Sequence, residues 1–187
     1  MVSYVVIMHL DVDPRPYRPD DAAAVTGLLN RAYRELHDSG LNFTAATQDV
    51  DATRRRIAEG ACWVVDHEGS VSATMTMSVP PPQDIRLLSD HARSPRTGWL
   101  CQVAVGPELR GRSVSRVLFE TALSWALDEG VETIGLDTAA PATHLRTLYA
   151  RWGFDEVDAV QFPGKNYASI VMTRGISATE RPRRVSE

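Results

Sequence analysis

Cysteine is scarce, with only Cys62 and Cys101 in 187 residues. Two thiols inside apolar runs cannot build a disulfide framework, and they read as reduced core residues of a cytoplasmic protein. Long apolar runs are also missing. The longest near the start, residues 4–10, is far shorter than the roughly 20 residues that a membrane-spanning helix needs. Asp11 and Asp13 follow it where a leader cleavage site would want small residues, so neither a targeting signal nor a membrane partner is expected. A basic surplus is absent too: Lys and Arg number 20 against 24 Asp and Glu, a net charge of −4. Nucleic acid as a partner is disfavoured, because gripping a phosphate backbone takes excess positive charge. His9, His67, His91 and His144 show no metal-ligand spacing with the cysteines, so no metal is expected. Neither the GxxxxGK[ST] loop nor the GxGxxG fingerprint is present, which leaves a nucleotide-triphosphate or NAD site without support.

What is there is globular: 43% hydrophobic and 24% charged residues, in a length that suits one domain. That domain is expected over residues 1–174, with residues 175–187 as a flexible polar tail. Residues 4–12 read as a strand rich in β-branched side chains. After Pro14, Pro16 and Pro19, Asp20 or Asp21 can cap a helix carrying Val25, Leu28, Leu29, Ala32 and Leu36. Thr47 or Asp49 can cap a shorter helix through Ile57. Residues 62–65 and 71–77 form a hairpin around Glu68-Gly69, its second strand buried on one face and polar on the other. A long loop, residues 80–98, opens on three prolines and is long enough to suspect a function. An apolar strand over residues 99–105 runs through a short turn into a helix over residues 113–129, closed by Gly130. A strand over residues 133–136 ends at Asp137. The next helix carries Leu145, Leu148, Tyr149 and Trp152 on one stripe and stops at Gly153. Strands over residues 155–160 and 167–173 follow around Pro163-Gly164. This order predicts an α/β domain: a mixed, largely antiparallel sheet of about seven strands with about four helices on both faces.

The chemistry concentrates in Gln102-Val-Ala-Val-Gly-Pro-Glu-Leu-Arg-Gly-Arg-Ser-Val-Ser-Arg116. A buried strand runs by a short turn into a helix whose first amides lack internal partners and lie at the positive end of its dipole. Such a terminus suits a phosphate, and Arg110, Arg112 and Arg116 add positive charge. An ordinary loop with solvated arginines and Ser113 as a simple cap remains the other reading of that spacing.

The stretch Val103-Ala-Val-Gly-Pro-Glu-Leu-Arg-Gly-Arg112 with its helix, and Leu148-Tyr-Ala-Arg-Trp-Gly-Phe154, resemble the GCN5-related N-acetyltransferase (GNAT) superfamily. Arg15-Pro-Tyr-Arg-Pro-Asp-Asp21 is similar to that family's first strand–helix junction, and the likeness runs over residues 4–174. It implies a sheet splayed at its centre, with acetyl-CoA bound between the two central parallel strands. By that resemblance Val103, Ala104 and Val105 hold the pantetheine and acetyl carbonyl. Arg110, Gly111, Arg112, Ser113, Val114 and Ser115 cradle the pyrophosphate. The family's small residues are replaced by Ser113 and Ser115. Both are expected at ordinary helical angles; a positive φ at Ser113 would cost ~1 kcal/mol.

The resemblance also implies that Tyr149 is the acid protonating the departing thiolate, against a plain core role on the stripe of Leu145 and Trp152. Trp99 stands near the position where some members carry a glutamate base, which leaves Glu35, His37 and Asp137 as candidates. The acceptor, a small-molecule or peptide amine, would lie among residues 36–47, the 80–98 loop and the hairpin at 162–167. Phe43, Phe162 and Tyr167 would wall it. The leading reading is an acetyl-CoA-dependent N-acetyltransferase working through a ternary complex. A non-catalytic acyl-CoA-binding or sensor module and a protein-interaction domain are the alternatives, and pairing into a homodimer through the last strands stays open.

Overall fold

A computed structural model describes residues 12–180 of the chain. The strand expected over residues 4–12 lies outside that range except for Val12, which is not extended in the sheet. Seven strands nevertheless form one sheet. They are β1 (Arg15–Pro16), β2 (Gly60–His67), β3 (Ser70–Ser78), β4 (Thr97–Val105), β5 (Thr133–Ala139), β6 (Asp155–Val160) and β7 (Ser169–Gly175). Their order is β1-β2-β3-β4-β5-β7-β6. Neighbours are antiparallel except β4 and β5. Glu68 and Gly69, at φ 49° and 76°, close the β2–β3 hairpin with the paired positive φ values of a type I′ turn.

The helices cover both faces. On one side α6 (Val114–Asp128) and α7 (Thr143–Arg151) pack on Trp63, Val65, Ala73, Met75 and Met77. Phe119 of α6 stacks on Trp152 at the end of α7, centroids 4.9 Å apart. On the other side α1 (Ala22–Ala32) lies over Val64, Val71 and Ala104. The polar row Ser72, Thr74, Thr76 and Ser78 is buried as well, at most 4% exposed. It lies beneath α1 and α3 (Val50–Ile57), and Thr76 Oγ1 donates to Gln102 Oε1 at 3.1 Å. Asp49 caps α3 by accepting from the Ala52 amide at 2.7 Å. The helix expected to run through Leu36 instead breaks at Tyr33 into α1 and α2 (Arg34–Asp38). Tyr33 there reaches across to β4 and donates its hydroxyl to the Val103 carbonyl at 2.9 Å. The expected 80–98 loop contains two helical turns, α4 (Gln83–Leu88) and α5 (Asp90–Arg93).

Of the expected tail, Gly175 ends β7, Ile176 is buried, and Glu180 pairs with Arg174 at 2.6 Å. Among the described residues no helix is long and apolar enough to cross a membrane.

The sheet opens at its centre. Pairing between β4 and β5 covers only Thr97–Trp99 against Thr133–Gly135, although both strands continue beyond it. Two local features lie where they part. The β3–β4 register shifts between Thr74 and Thr76, and Gln102 takes φ 50°; such a bulge bends and twists its strand. Trp99, fully buried, lays its ring over Gly135, where a Cβ would collide with it.

Candidate functional site

Two cavities of about 580 Å³ and 570 Å³ occupy the opening. The second is built by β4, the following turn and the head of α6. Val103, Ala104, Val105, Arg110, Gly111, Ser113, Val114 and Ser115 all line it. Arg112, named with them from the sequence, is exposed and not part of its wall. Arg116 is drawn to Glu120 on α6 at 2.8 Å.

Ser113 corrects an expectation. It sits in the left-handed region at φ 60°, ψ 13°, and only Ser115 has helical angles. Gly111, at φ 74°, and Ser113 together fold the turn back so that α6 can start at Val114. The first helical bonds run from the Arg116 and Val117 amides to the Ser113 carbonyl, so the amides of Ser113, Val114 and Ser115 have no acceptor within the helix. Unpaired amides, the dipole end and Arg110, itself 3.8 Å from Glu35, make a cradle of donors and positive charge. The residues present fit the diphosphate of a coenzyme A. In β4, Gly106 donates to the Ser72 carbonyl on the β3 side. Strand alternation therefore turns the amides of Val103 and Val105 toward the parted edge.

The other cavity lies between β4, β5, the α4 segment and the turn before β7. Tyr33, Phe43, Trp99, Cys101, Gln102, Asp137, Phe162, Lys165 and Tyr167 contribute to its wall, along with Arg55 and Arg56 of α3. Phe43 packs between Tyr33 and Tyr167, with centroids 5.3 and 5.2 Å away. The titrating groups here are shaped by burial. It pushes the Tyr33 and Tyr167 hydroxyls up to about 12 and raises the Cys101 thiol, which keeps it neutral and a poor nucleophile. Burial also raises Asp137, opposed by the hydrogen bond from Trp99 and by the charge of Arg56; Trp99 Nε1 donates to Asp137 Oδ1 at 3.2 Å. Lys165 is lowered by burial and by Arg56.

Four residues line both cavities: Tyr33, Val103, Leu145 and Tyr149. Tyr149 is 7% exposed and burial holds its hydroxyl well above its ordinary value. Its ring meets Trp152 and Phe154 edge-on, yet its hydroxyl has no hydrogen-bond partner among the described residues. Of the three candidate bases, Glu35 stands at the cradle beside Arg110 and His37 lies 3.7 Å from Asp38, while Asp137 lines the β5-side cavity.

Sequence reasoning missed Tyr33, Gln102, Arg56 and Lys165. Tyr33 sat inside a helical pattern, and the bulge at Gln102 leaves no trace in an apolar run. Arg54, Arg55 and Arg56 carry no motif within their short helix, and Lys165, the chain's only lysine, lies in a turn.

With this geometry, the model of the acetyltransferase (GNAT) family matches residues 24–154. The S-(2-succino)cysteine N-acetyltransferase of Bacillus subtilis is 29% identical over 159 residues, covering 82% of this chain and 90% of that protein. Among solved structures, the ribosomal-protein-S18-alanine N-acetyltransferase of Escherichia coli superposes with a TM-score of 0.67 at 16% identity, over 94% of this chain and 99% of that one. The ribosomal-protein-alanine N-acetyltransferase of Brucella melitensis gives 0.66 at 17% identity, over 88% and 100%.

Proposed function

Because this chain belongs to the acetyltransferase (GNAT) family, we propose that it transfers an acetyl group from acetyl-CoA directly to an amine held beside it in a ternary complex. The observation that carries this reading is the set of residues common to the two cavities, with an unpartnered Tyr149 hydroxyl among them. The cavity at the head of α6 takes the coenzyme, its diphosphate on the amides of Ser113, Val114 and Ser115 with Arg110 alongside. Bound there, acetyl-CoA supplies an activated thioester. The β5-side cavity takes the amine.

Each chain residue then has a task. The amide of Val103, facing the parted edge, donates to the acetyl carbonyl and stabilises the negative charge that grows on its oxygen during attack. Tyr33 holds the Val103 carbonyl, in the peptide that follows this amide, and so steadies the strand around it. Asp137, raised by burial, accepts one proton from the acceptor ammonium, and the free amine attacks the carbonyl carbon. As the C–S bond breaks, the Tyr149 hydroxyl gives its proton to the sulfur; the second proton of the amine refills Tyr149 as the amide forms. A thiol of pKa about 8.5 is a tolerable leaving group once protonated in this way. Most of the acceleration comes from holding amine and thioester in contact.

The test is free-thiol release from acetyl-CoA across a panel of amines that includes S-(2-succino)cysteine, a protein N-terminal alanine peptide and an aminoglycoside. Release that depends on an amine and deposits one acetyl group on it supports the reading. Acetyl-CoA binding without transfer to any member would leave a binding module instead.

A further inference from the structure

We infer that the acceptor is a small amine carrying a carboxylate next to its amino group, and that Lys165 and Arg56 grip that carboxylate. This rests on the transferase reading above. Lys165 Nζ lies 5.9 Å from the Tyr167 ring centroid and donates to the Asn42 carbonyl and to Thr44 Oγ1. Both acceptors are neutral, and one of its three N–H groups is left over. Arg54 of the same helix turn is paired with Asp51 at 3.2 Å, whereas neither Arg56 nor Lys165 has a carboxylate within ion-pair distance among the described residues. Both line the β5-side cavity, and the charge of Arg56 is felt by Lys165. Two like charges at one wall are unfavourable, and Asp137 is the one buried carboxylate of the wall among the described residues to offset them, so a ligand that brings further negative charge is favoured.

A second observation points the same way. Gln102 and Thr138 are buried in the wall of this cavity, 4% and 3% exposed. Gln102 Nε2 and Thr138 Oγ1 have no hydrogen-bond partner among the described residues. Ammonium, guanidinium, amide N–H and hydroxyl are all donors, and a carboxylate is a group that only accepts, at up to about four lone-pair sites. Two other acidic residues of the wall, Asp84 and Glu59, make no ion pair with either cation among the described residues, and the Ile85 amide donates to Asp84 Oδ1 at 2.8 Å. Asp137 remains as the buried acceptor for the ammonium end. One cavity thus offers partners for both charges of an amino acid, with Phe43 and Tyr167 walling its side chain.

The experiment uses matched acceptors with acetyl-CoA. L-methionine, L-methioninamide and 3-(methylthio)propylamine form one set, and L-phenylalanine, L-phenylalaninamide and phenethylamine another, beside S-carboxymethyl-L-cysteine, spermidine and an aminoglycoside. The acids are expected to exceed their amides and decarboxylated amines by at least about tenfold in kcat/KM. Lys165→Met and Arg56→Gln should each raise KM for the best acid about 10- to 100-fold. KM for acetyl-CoA and for the matching amide should stay within about twofold. Amides, spermidine or the aminoglycoside equalling the acids would overturn the inference while leaving the transferase reading intact, as would variants that lower kcat for acid and amide alike. Absence of thiol release with every amine would defeat the transferase reading and this inference with it.

Discussion

Ser113 offers a perturbation whose sign follows from one backbone angle. An L-residue in the left-handed region is strained by roughly 1–2 kcal/mol, and Ser113 sits there at φ 60° with no hydrogen bond from its side chain to the helix head. Glycine removes that strain but gives the unfolded chain more freedom, worth about 0.5–1 kcal/mol in the other direction. The difference makes Ser113→Gly stabilising by about 0.5–1 kcal/mol. For a chain of this size each kcal/mol moves Tm by about 2–4 °C, so a rise of about 1–4 °C is expected. Ser115, the second residue of α6, has helical angles, and Ser115→Gly should cost about 0.5 kcal/mol from helix propensity alone, a fall of about 1–2 °C. The donors of the cradle are backbone amides, which both variants keep. Acetyl-CoA affinity measured by calorimetry should therefore change less than about threefold in each. Thermal unfolding without ligand reads the stability. A lower Tm for Ser113→Gly, or a tenfold loss of cofactor affinity with it, would refute the strained-turn account.

Other sites give equally definite outcomes. Gly135→Ala drives a Cβ into the Trp99 ring at the point where β4 and β5 part; overpacking of this kind costs about 1–3 kcal/mol, and a fall in Tm with loss of transfer activity is expected, a neutral variant contradicting the close packing of Trp99 on Gly135. Arg15 donates to Asp21 at 2.7 and 2.9 Å and to Asp66 at 2.6 and 3.0 Å, joining the start of the fold to the end of β2. The Arg15 guanidinium holds Asp21 below its ordinary 3.8, so its stabilisation is fully present above that value and is lost as pH falls through the lower folded one. Asp21→Asn should lower Tm at pH 7 by an amount worth about 1–2 kcal/mol and flatten the acid limb of the Tm–pH profile; an unchanged acid limb would show that this carboxylate does not carry it.

Much of this architecture was legible in the sequence because its signals are local. Alternation in residues 71–77, the helical stripe of Val114, Leu118 and Ala122, and the Glu68-Gly69 turn each declare themselves within a few residues. The mixed, mostly antiparallel sheet follows from their order, and the recognition of the family from two motifs separated by one strand. What escaped depends on contacts distant in the chain. The break at Tyr33 comes with a hydrogen bond to Val103 seventy positions away, and the burial of the Ser/Thr face of β3 with helices laid over it. The left-handed Ser113 was hidden because nothing in a Gly-Arg-Ser-Val string says which residue takes the turn. On the acceptor side, Arg56, Gln102, Thr138 and Lys165 come from four separate elements, and only the folded sheet brings them to one wall.

The claim on which all of this turns is that a buried tyrosine between two cavities supplies the leaving group's proton. Steady-state kinetics of Tyr149→Phe, followed by thiol release with a saturating amine, tests it most directly. A positioned acid is worth about 10²- to 10⁴-fold, so kcat should fall by that factor while KM for acetyl-CoA stays within about threefold and Tm scarcely moves. An unchanged kcat would make Tyr149 a wall residue and contradict the account.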